Sequence, residues 1–161
     1  MVLGAAGGEH GEIALGKAIG GGLPVGTMFA KPATAKFLTP GKHGCTLGGN
    51  PICMAVARTI FDVIERDGLL AHASMLGEHA ISRLRKESSI SGKIQDVRGR
   101  GLMLGVELKS APQKVVERGL EHGIIINLTA QKVIRLAPPL TISAEQWDRG
   151  LDALVKTIEG L

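Results

Sequence analysis

Aromatic side chains are scarce in this chain: three Phe, one Trp and no Tyr among 161 residues. A core of stacked rings is thereby excluded, and so are the aromatic platforms that grip single-stranded nucleic acid. Any core has to be built from Leu, Ile, Val, Ala and Met, and a hydrophobic fraction of 44% against 21% charged residues is enough for a folded chain. Cysteine is nearly absent. Cys45 and Cys53 lie close together with no second pair and no histidine-rich partner set, so neither a zinc site nor a disulfide framework is expected. No uninterrupted apolar run approaches the ~20 residues of a membrane-spanning helix, and no charged start followed by an apolar core marks a signal peptide. The expectation is a cytoplasmic protein without a membrane partner. The excess of positive charge is small, 19 basic against 15 acidic residues, and scattered. It favours a mildly basic protein with an anionic small ligand over a nucleic-acid binder.

What the chain has in abundance is glycine, 23 residues, many of them clustered. Met1 to Glu12 is small, Gly-rich and without period, and is expected to be poorly ordered. Ile13-Ala14-Leu15 is a short apolar piece, Thr27 to Ala30 reads as a buried strand and Pro32 to Phe37 as a short helix. Thr39 to Gly49 is a loop by composition. Asn50-Pro51 is a helix start, with a favoured N-cap followed by the one residue that loses nothing at the first helical position. The apolar spacing behind it predicts a helix to about Arg66, broken by Asp67-Gly68, and a second helix from Leu69 to about Lys86. Further on, Ile94 to Val97 and Leu102 to Leu108 read as strands around a turn at Gly99 to Gly101, and Pro112 to His122 as a short helix. Ile124 to Leu128 and Val133 to Leu136 are strand-like, and Ser143 with Gln146 forms a capping box for a last helix, Ala144 to Ile158. The pattern is mixed α and β, with a compact α+β lobe from Leu69 onward.

Three places could carry chemistry. Lys17 sits among small and apolar residues directly before Gly20-Gly21-Gly22. A desolvated amine there would be a better nucleophile, and the glycines would let a planar or anionic ligand approach. From local sequence alone, a surface lysine at a turn is the plainer reading. The loop His43 to Pro51 places Thr46 between glycines just before a helix N-terminus, where exposed amides and a hydroxyl suit a phosphate. It equally suits a simple connection. Arg135 lies inside an apolar strand that ends at Pro138-Pro139. Its guanidinium is built to meet a carboxylate, but an internal salt bridge or an outward-facing residue fits as well. The stretch Val97 to Leu108 reads as architecture, its arginines facing solvent or paired with acids.

As an ordered set, LGKAIGGGLPVG, TPGKHGCTLGGNP, VRGRGLMLGVEL and VIRLAPPLTIS resemble the second half of class III, fold-type I pyridoxal-phosphate aminotransferases, nearest in character to the acetylornithine and ornithine branch. The resemblance runs from about Ile13 to the end of the chain. It implies an α/β protein in which residues 1–68 are the end of a large, mostly parallel-sheet cofactor domain with a linking helix, and residues 69–161 are the small C-terminal α+β domain. By position, Lys17 matches the lysine that binds pyridoxal phosphate covalently and then shuttles the substrate proton. Thr46 matches the threonine that hydrogen-bonds the cofactor phosphate, in these dimers in the neighbouring subunit's site, and Arg135 the arginine that clamps the substrate α-carboxylate.

The implied reaction is amino transfer from N-acetylornithine or ornithine to 2-oxoglutarate, within arginine biosynthesis, by a homodimer. Cys45 and Leu47 depart from the Ser and aromatic that often flank the family's threonine. The family's phosphate loop, its ring-stacking aromatic and the acid that pairs with the pyridine nitrogen belong to its first half and have no counterpart here. The expectation is therefore a truncated form with impaired or no activity, or alternatively a non-catalytic remnant or interaction module that retains only the small lobe.

Overall fold

The structure, a computed structural model, describes residues 12–161. The expectation of poor order for Met1 to Glu12 thus lies outside the described residues up to Gly11, while Glu12 itself opens the first strand. The chain divides into two compact units, one reaching to Asp67 and the other Gly68–Leu161.

In the first unit, strands β1 (Glu12–Leu15) and β2 (Thr27–Ala30) pair antiparallel, with Ile13 opposite Phe29 and Leu15 opposite Thr27. A mostly parallel sheet was implied for this region; the two described strands are antiparallel because the connection between them is too short for a parallel crossover. It holds only a 3-10 turn, Lys17–Gly20. Helix α1 is a single turn, Pro32–Ala35, and helix α2 spans Pro51–Arg66. The Asn50 side chain accepts hydrogen bonds from the amides of Ile52 (3.0 Å) and Cys53 (3.3 Å), and Asp67 followed by left-handed Gly68 ends the helix. The 3-10 turn packs on α2 at Gly21. That residue has φ +55°, and a Cβ there would stand 3.0 Å from Ile60 Cδ1 and 3.2 Å from Val56 Cγ1, so only glycine fits without displacement. Little else is covered: the buried apolar residues of this unit are Ile19, Ala57 and Ile64, while Ile13, Met28, Phe29 and Ile52 are each more than half exposed.

The second unit begins with helix α3 (Leu69–Lys86) and the single turn α4 (Ser88–Ser91). Strands β3 (Ile94–Arg100) and β4 (Met103–Leu108), helix α5 (Val115–Glu121), strands β5 (Asn127–Thr129) and β6 (Val133–Leu136), and helix α6 (Ala144–Glu159) follow. The strands form one antiparallel sheet in the order β3-β4-β6-β5. Alternation decides its faces. Leu104, Val106, Leu108 and Ile134 point into a core with Ala73, Leu76, Ala80 and Leu84 of α3 and Trp147, Leu151, Leu154 and Ile158 of α6. Each fully buried Leu or Ile contributes roughly 1.5–3 kcal/mol of transfer free energy, so this unit carries most of the chain's apolar burial.

Long-range polar contacts fix α6. The Trp147 indole donates to the Leu76 carbonyl (3.0 Å), and the Lys93 ammonium donates to the carbonyls of Ile158 (3.2 Å), Glu159 (2.6 Å) and Leu161 (3.1 Å). The capping box is present at its other end, with Ser143 and Gln146 bonded reciprocally.

Three expectations shift. Strand β3 runs through Gly99 to Arg100, leaving a two-residue hairpin loop at Gly101-Leu102. Helix α5 starts at Val115, not Pro112, because Lys114 is left-handed (φ +58°) and cannot belong to a helix. Strand β5 is confined to Asn127–Thr129, since its partner β6 stops at Leu136, ahead of Pro138-Pro139. No helix among the described residues is long and apolar enough to cross a membrane.

Candidate functional site

Lys17 opens the 3-10 turn after Gly16, whose backbone is fully extended (φ −159°). Its own φ is +59°, a left-handed conformation that costs a side-chain-bearing residue roughly 1 kcal/mol or more. Its neighbours in the turn are close-packed. Ile19 is buried, and a Cβ on Gly20 would press on Val25 at 3.3 Å. The amine of Lys17 is exposed, and the turn ends in glycine backbone at Gly21 and Gly22. An exposed primary amine beside bare backbone is what an aldehyde-bearing cofactor requires.

Thr46 lies in a turn closed by the Gly48 amide donating to the Cys45 carbonyl (3.0 Å), and it is exposed. Its hydroxyl is a donor for a phosphate. The amides at the start of α2 are another matter. Sequence suggested them as free phosphate ligands, but Asn50 takes those of Ile52 and Cys53, which leaves the Thr46 hydroxyl and the loop glycines as the donors. Cys45 and Cys53 are both free thiols, and no cluster of three or more His, Cys, Asp or Glu among the described residues could hold a metal.

Arg135 sits on β6 with its side chain on the outer face of the sheet, between Gly105 of β4 and Asn127 of β5 in register. Of the two structural readings open to it, the outward-facing one holds, not an internal salt bridge. Its guanidinium has no ion-pair or hydrogen-bond partner among the described residues. Its charged neighbours on that face are paired. Glu107 accepts from Lys132 at 2.8 Å and from Arg98 at 2.6 Å, and Arg98 also meets Asp96 at 3.1 Å. Lys132 first, and Arg98 beside it, hold the Glu107 carboxyl below the usual carboxylate range. The one acid close to Arg135 in the sheet is therefore committed elsewhere, and Gly105 places no side chain over the guanidinium. Lys17 and Thr46 belong to the first unit and Arg135 to the second. The commitment of Glu107 was not legible from the sequence; the alternation of Arg98, Gly105, Glu107 and Arg135 across paired strands becomes a signal only once the register is known.

The family described as aminotransferase class-III matches residues 12–158. Acetylornithine aminotransferase 1 of Bordetella bronchiseptica is 41% identical over 145 residues, covering 90% of this chain and 37% of that protein. Among solved structures, acetylornithine aminotransferase from Elizabethkingia anophelis superposes with a TM-score of 0.84 at 33% identity, over 94% of this chain and 39% of that one. Ornithine aminotransferase from Toxoplasma gondii, described with partial occupancy of PLP at its active site, superposes with a TM-score of 0.85 at 31% identity, over 93% and 37%. The fold is that of these aminotransferases, and the chain belongs to the class III aminotransferases. These are enzymes that work with pyridoxal phosphate. Within them the similarity runs to proteins named for acetylornithine and ornithine, and the chain spans a little over a third of the length of these relatives.

Proposed function

We propose that the protein carrying these residues transfers the amino group of N-acetylornithine or ornithine to 2-oxoglutarate, with pyridoxal phosphate as cofactor, in arginine biosynthesis in the cytoplasm. The observation that carries the reading is Arg135: an exposed guanidinium without an internal partner, on a face where the neighbouring acid Glu107 is already held by Lys132 and Arg98. Such a group is poised for a carboxylate from outside, and both proposed substrates bring one.

The roles divide by residue. Bound pyridoxal phosphate would supply the electron sink for chemistry at the substrate α-carbon. Lys17 would hold the cofactor through its Nζ and then carry a proton to and from that carbon. Thr46 would donate its hydroxyl to the cofactor phosphate, in a homodimer to the phosphate in the partner's site. Arg135 would orient the substrate by its α-carboxylate. The family resemblance assigns ring stacking and the contact to the pyridine nitrogen to the family's first half, so turnover is expected of an assembly that contains that half, and slow or no turnover of these 161 residues alone.

The test is a transamination assay on the protein in its natural length. Arg135→Ala should lower kcat/KM for acetylornithine and 2-oxoglutarate at least ~100-fold, and Arg135→Lys should recover only part of that, because an ammonium lacks the bidentate fork. Equal kcat/KM for wild type and R135A would refute the assignment. A second reading, a non-catalytic lobe, is favoured by the self-contained core of Gly68–Leu161. It predicts no transamination in any assembly and no effect of R135A.

A further inference from the structure

We propose that the second unit carries a site for a linear polyphosphate, lined by Lys93, Lys109, Lys114 and Arg118 together with Ser110 and Gln113. These residues surround a concavity of about 440 Å³ where the segment after β4, the approach to α5 and the end of α6 come together. That volume is in the range of roughly 300–1,000 Å³ typical of small-molecule sites. No Asp or Glu side chain lines it.

Cations predominate there. Lys109, Lys114 and Arg118 have no ion-pair partner among the described residues. Lys93 is bonded, to the carbonyls of Ile158 and Glu159 at the C-terminal end of α6, whose partial charge is roughly half a unit, and to the main-chain oxygen of Leu161, which also lines the concavity. Arg118 lies against Gly160 at the same helix end, half-buried, and shares that partial charge. Four cations thus face one concavity, against the partial charge of the α6 end and the main-chain oxygen of Leu161.

Lys114 adds a second observation. It is held left-handed at φ +58°, outside any helix and with no side-chain cap to explain it. A strained, side-chain-bearing residue at the mouth of a cavity is a feature that sites preserve and ordinary turns replace with glycine.

The arrangement selects the ligand class. Three separate ammonium groups are compact point charges spread around a concavity, which suits several phosphate groups in a row. A single carboxylate asks for one fork-shaped guanidinium, the arrangement at Arg135. Ser110 and Gln113 supply neutral donors for bridging oxygens. The pocket shares no residue with Lys17, Thr46 or Arg135, so the proposal stands independently of the transaminase reading.

The experiment is an amide-resolved NMR titration of the chain with inorganic triphosphate and, separately, with ATP. Saturable shifts confined to residues 92–93, 108–114, 118 and 161 are expected, with a Kd of roughly 10 μM to 1 mM at low salt, weakening about tenfold or more at 0.5 M salt. Equal affinity for the two ligands assigns the site to the polyphosphate chain, and tighter ATP binding assigns it to a nucleotide. Lys109→Ala with Lys114→Ala should weaken binding at least ~10-fold, whereas Lys31→Ala with Lys36→Ala, the same loss of charge in the first unit, should leave it unchanged. On the wild-type chain, triphosphate should also shield Lys109 and Lys114 from acetylation by an amine-reactive ester. No saturable shifts, shifts spread over all basic residues, equal losses in both double variants, or unshielded Lys109 and Lys114 would each overturn the proposal.

Discussion

Replacing Lys93 by Met removes one ammonium and keeps the hydrocarbon stem. In the structure that ammonium donates to the carbonyls of Ile158 (3.2 Å) and Glu159 (2.6 Å) at the end of α6 and to that of Leu161 (3.1 Å) just beyond it. A charge-assisted hydrogen-bond set of this kind contributes about 1.5–3 kcal/mol, and the positive charge at a helix C-terminus adds about 0.3–1 kcal/mol. Against this, freeing an immobilised lysine returns up to about 2 kcal/mol of rotamer entropy. The net loss is about 1–2 kcal/mol, clearly outside the ±0.5 kcal/mol of ordinary surface substitutions. For a unit of this size it should lower Tm by roughly 5–15 °C.

Trp147, the chain's one tryptophan, is buried in α6 and reports directly on the helix in question. Urea unfolding followed by its fluorescence is therefore the assay, with Leu154→Ala, a fully buried core truncation, as the larger reference at about 2–5 kcal/mol. A Lys93→Met loss below about 0.3 kcal/mol would mean that the end of α6 is held by packing alone and that the reasoning about Lys93 is wrong.

Other consequences can be checked in the same preparation. A Cβ on Gly77 would collide with the main chain of Gly101, which cannot step aside, so Gly77→Ala should cost at least about 2–3 kcal/mol. Gly150 in α6 has open space around it, and Gly150→Ala should instead stabilise by about 0.5–1 kcal/mol in the same urea titration. Asp148 accepts from His79 at 2.7 Å and from Arg83 at 3.1 Å, and these two, His79 foremost, depress its carboxyl. Its contribution is present above the ordinary aspartate range and is lost as pH falls through the depressed value, so Asp148→Asn should flatten the acid side of the stability–pH curve; an unchanged acid limb would contradict the pairing. Hydrogen exchange should be fast across residues 13–47, where a two-stranded ribbon leaves Ile13, Met28 and Phe29 exposed, and slow in β4 and α6; strong protection in β2 would refute this.

How far the sequence reached follows from where its signals are local. The ends of α2, α3 and α6 were legible because Asn50-Pro51, Asp67-Gly68 and the Ser143–Gln146 box act within a few residues. Lys17, Thr46 and Arg135 were weak signals singly and became specific only as an ordered set. What distance joins was not legible. Lys93 meets α6 across more than sixty residues, and Trp147 reaches Leu76 across 71. The exposure of Arg135 depends on the register of β4, β5 and β6 and on Glu107 being held by Lys132 and Arg98. The left-handed Lys114, which delays α5, has no sequence signature, because that conformation is unusual for lysine. The amides of Ile52 and Cys53 are closed to a phosphate for a simple reason: the residue that signals the helix start, Asn50, also accepts from them.

Lys17, held left-handed in a glycine-flanked turn, is the proposed cofactor-bearing lysine of this class III aminotransferase. The most direct test is to incubate the protein in its natural length with pyridoxal phosphate, reduce with borohydride and map the modified lysine by mass spectrometry. The expected result is a single phosphopyridoxyl group on Lys17, abolished by Lys17→Ala. Label spread evenly over the exposed lysines, or unchanged labelling in the Lys17→Ala variant, would contradict it.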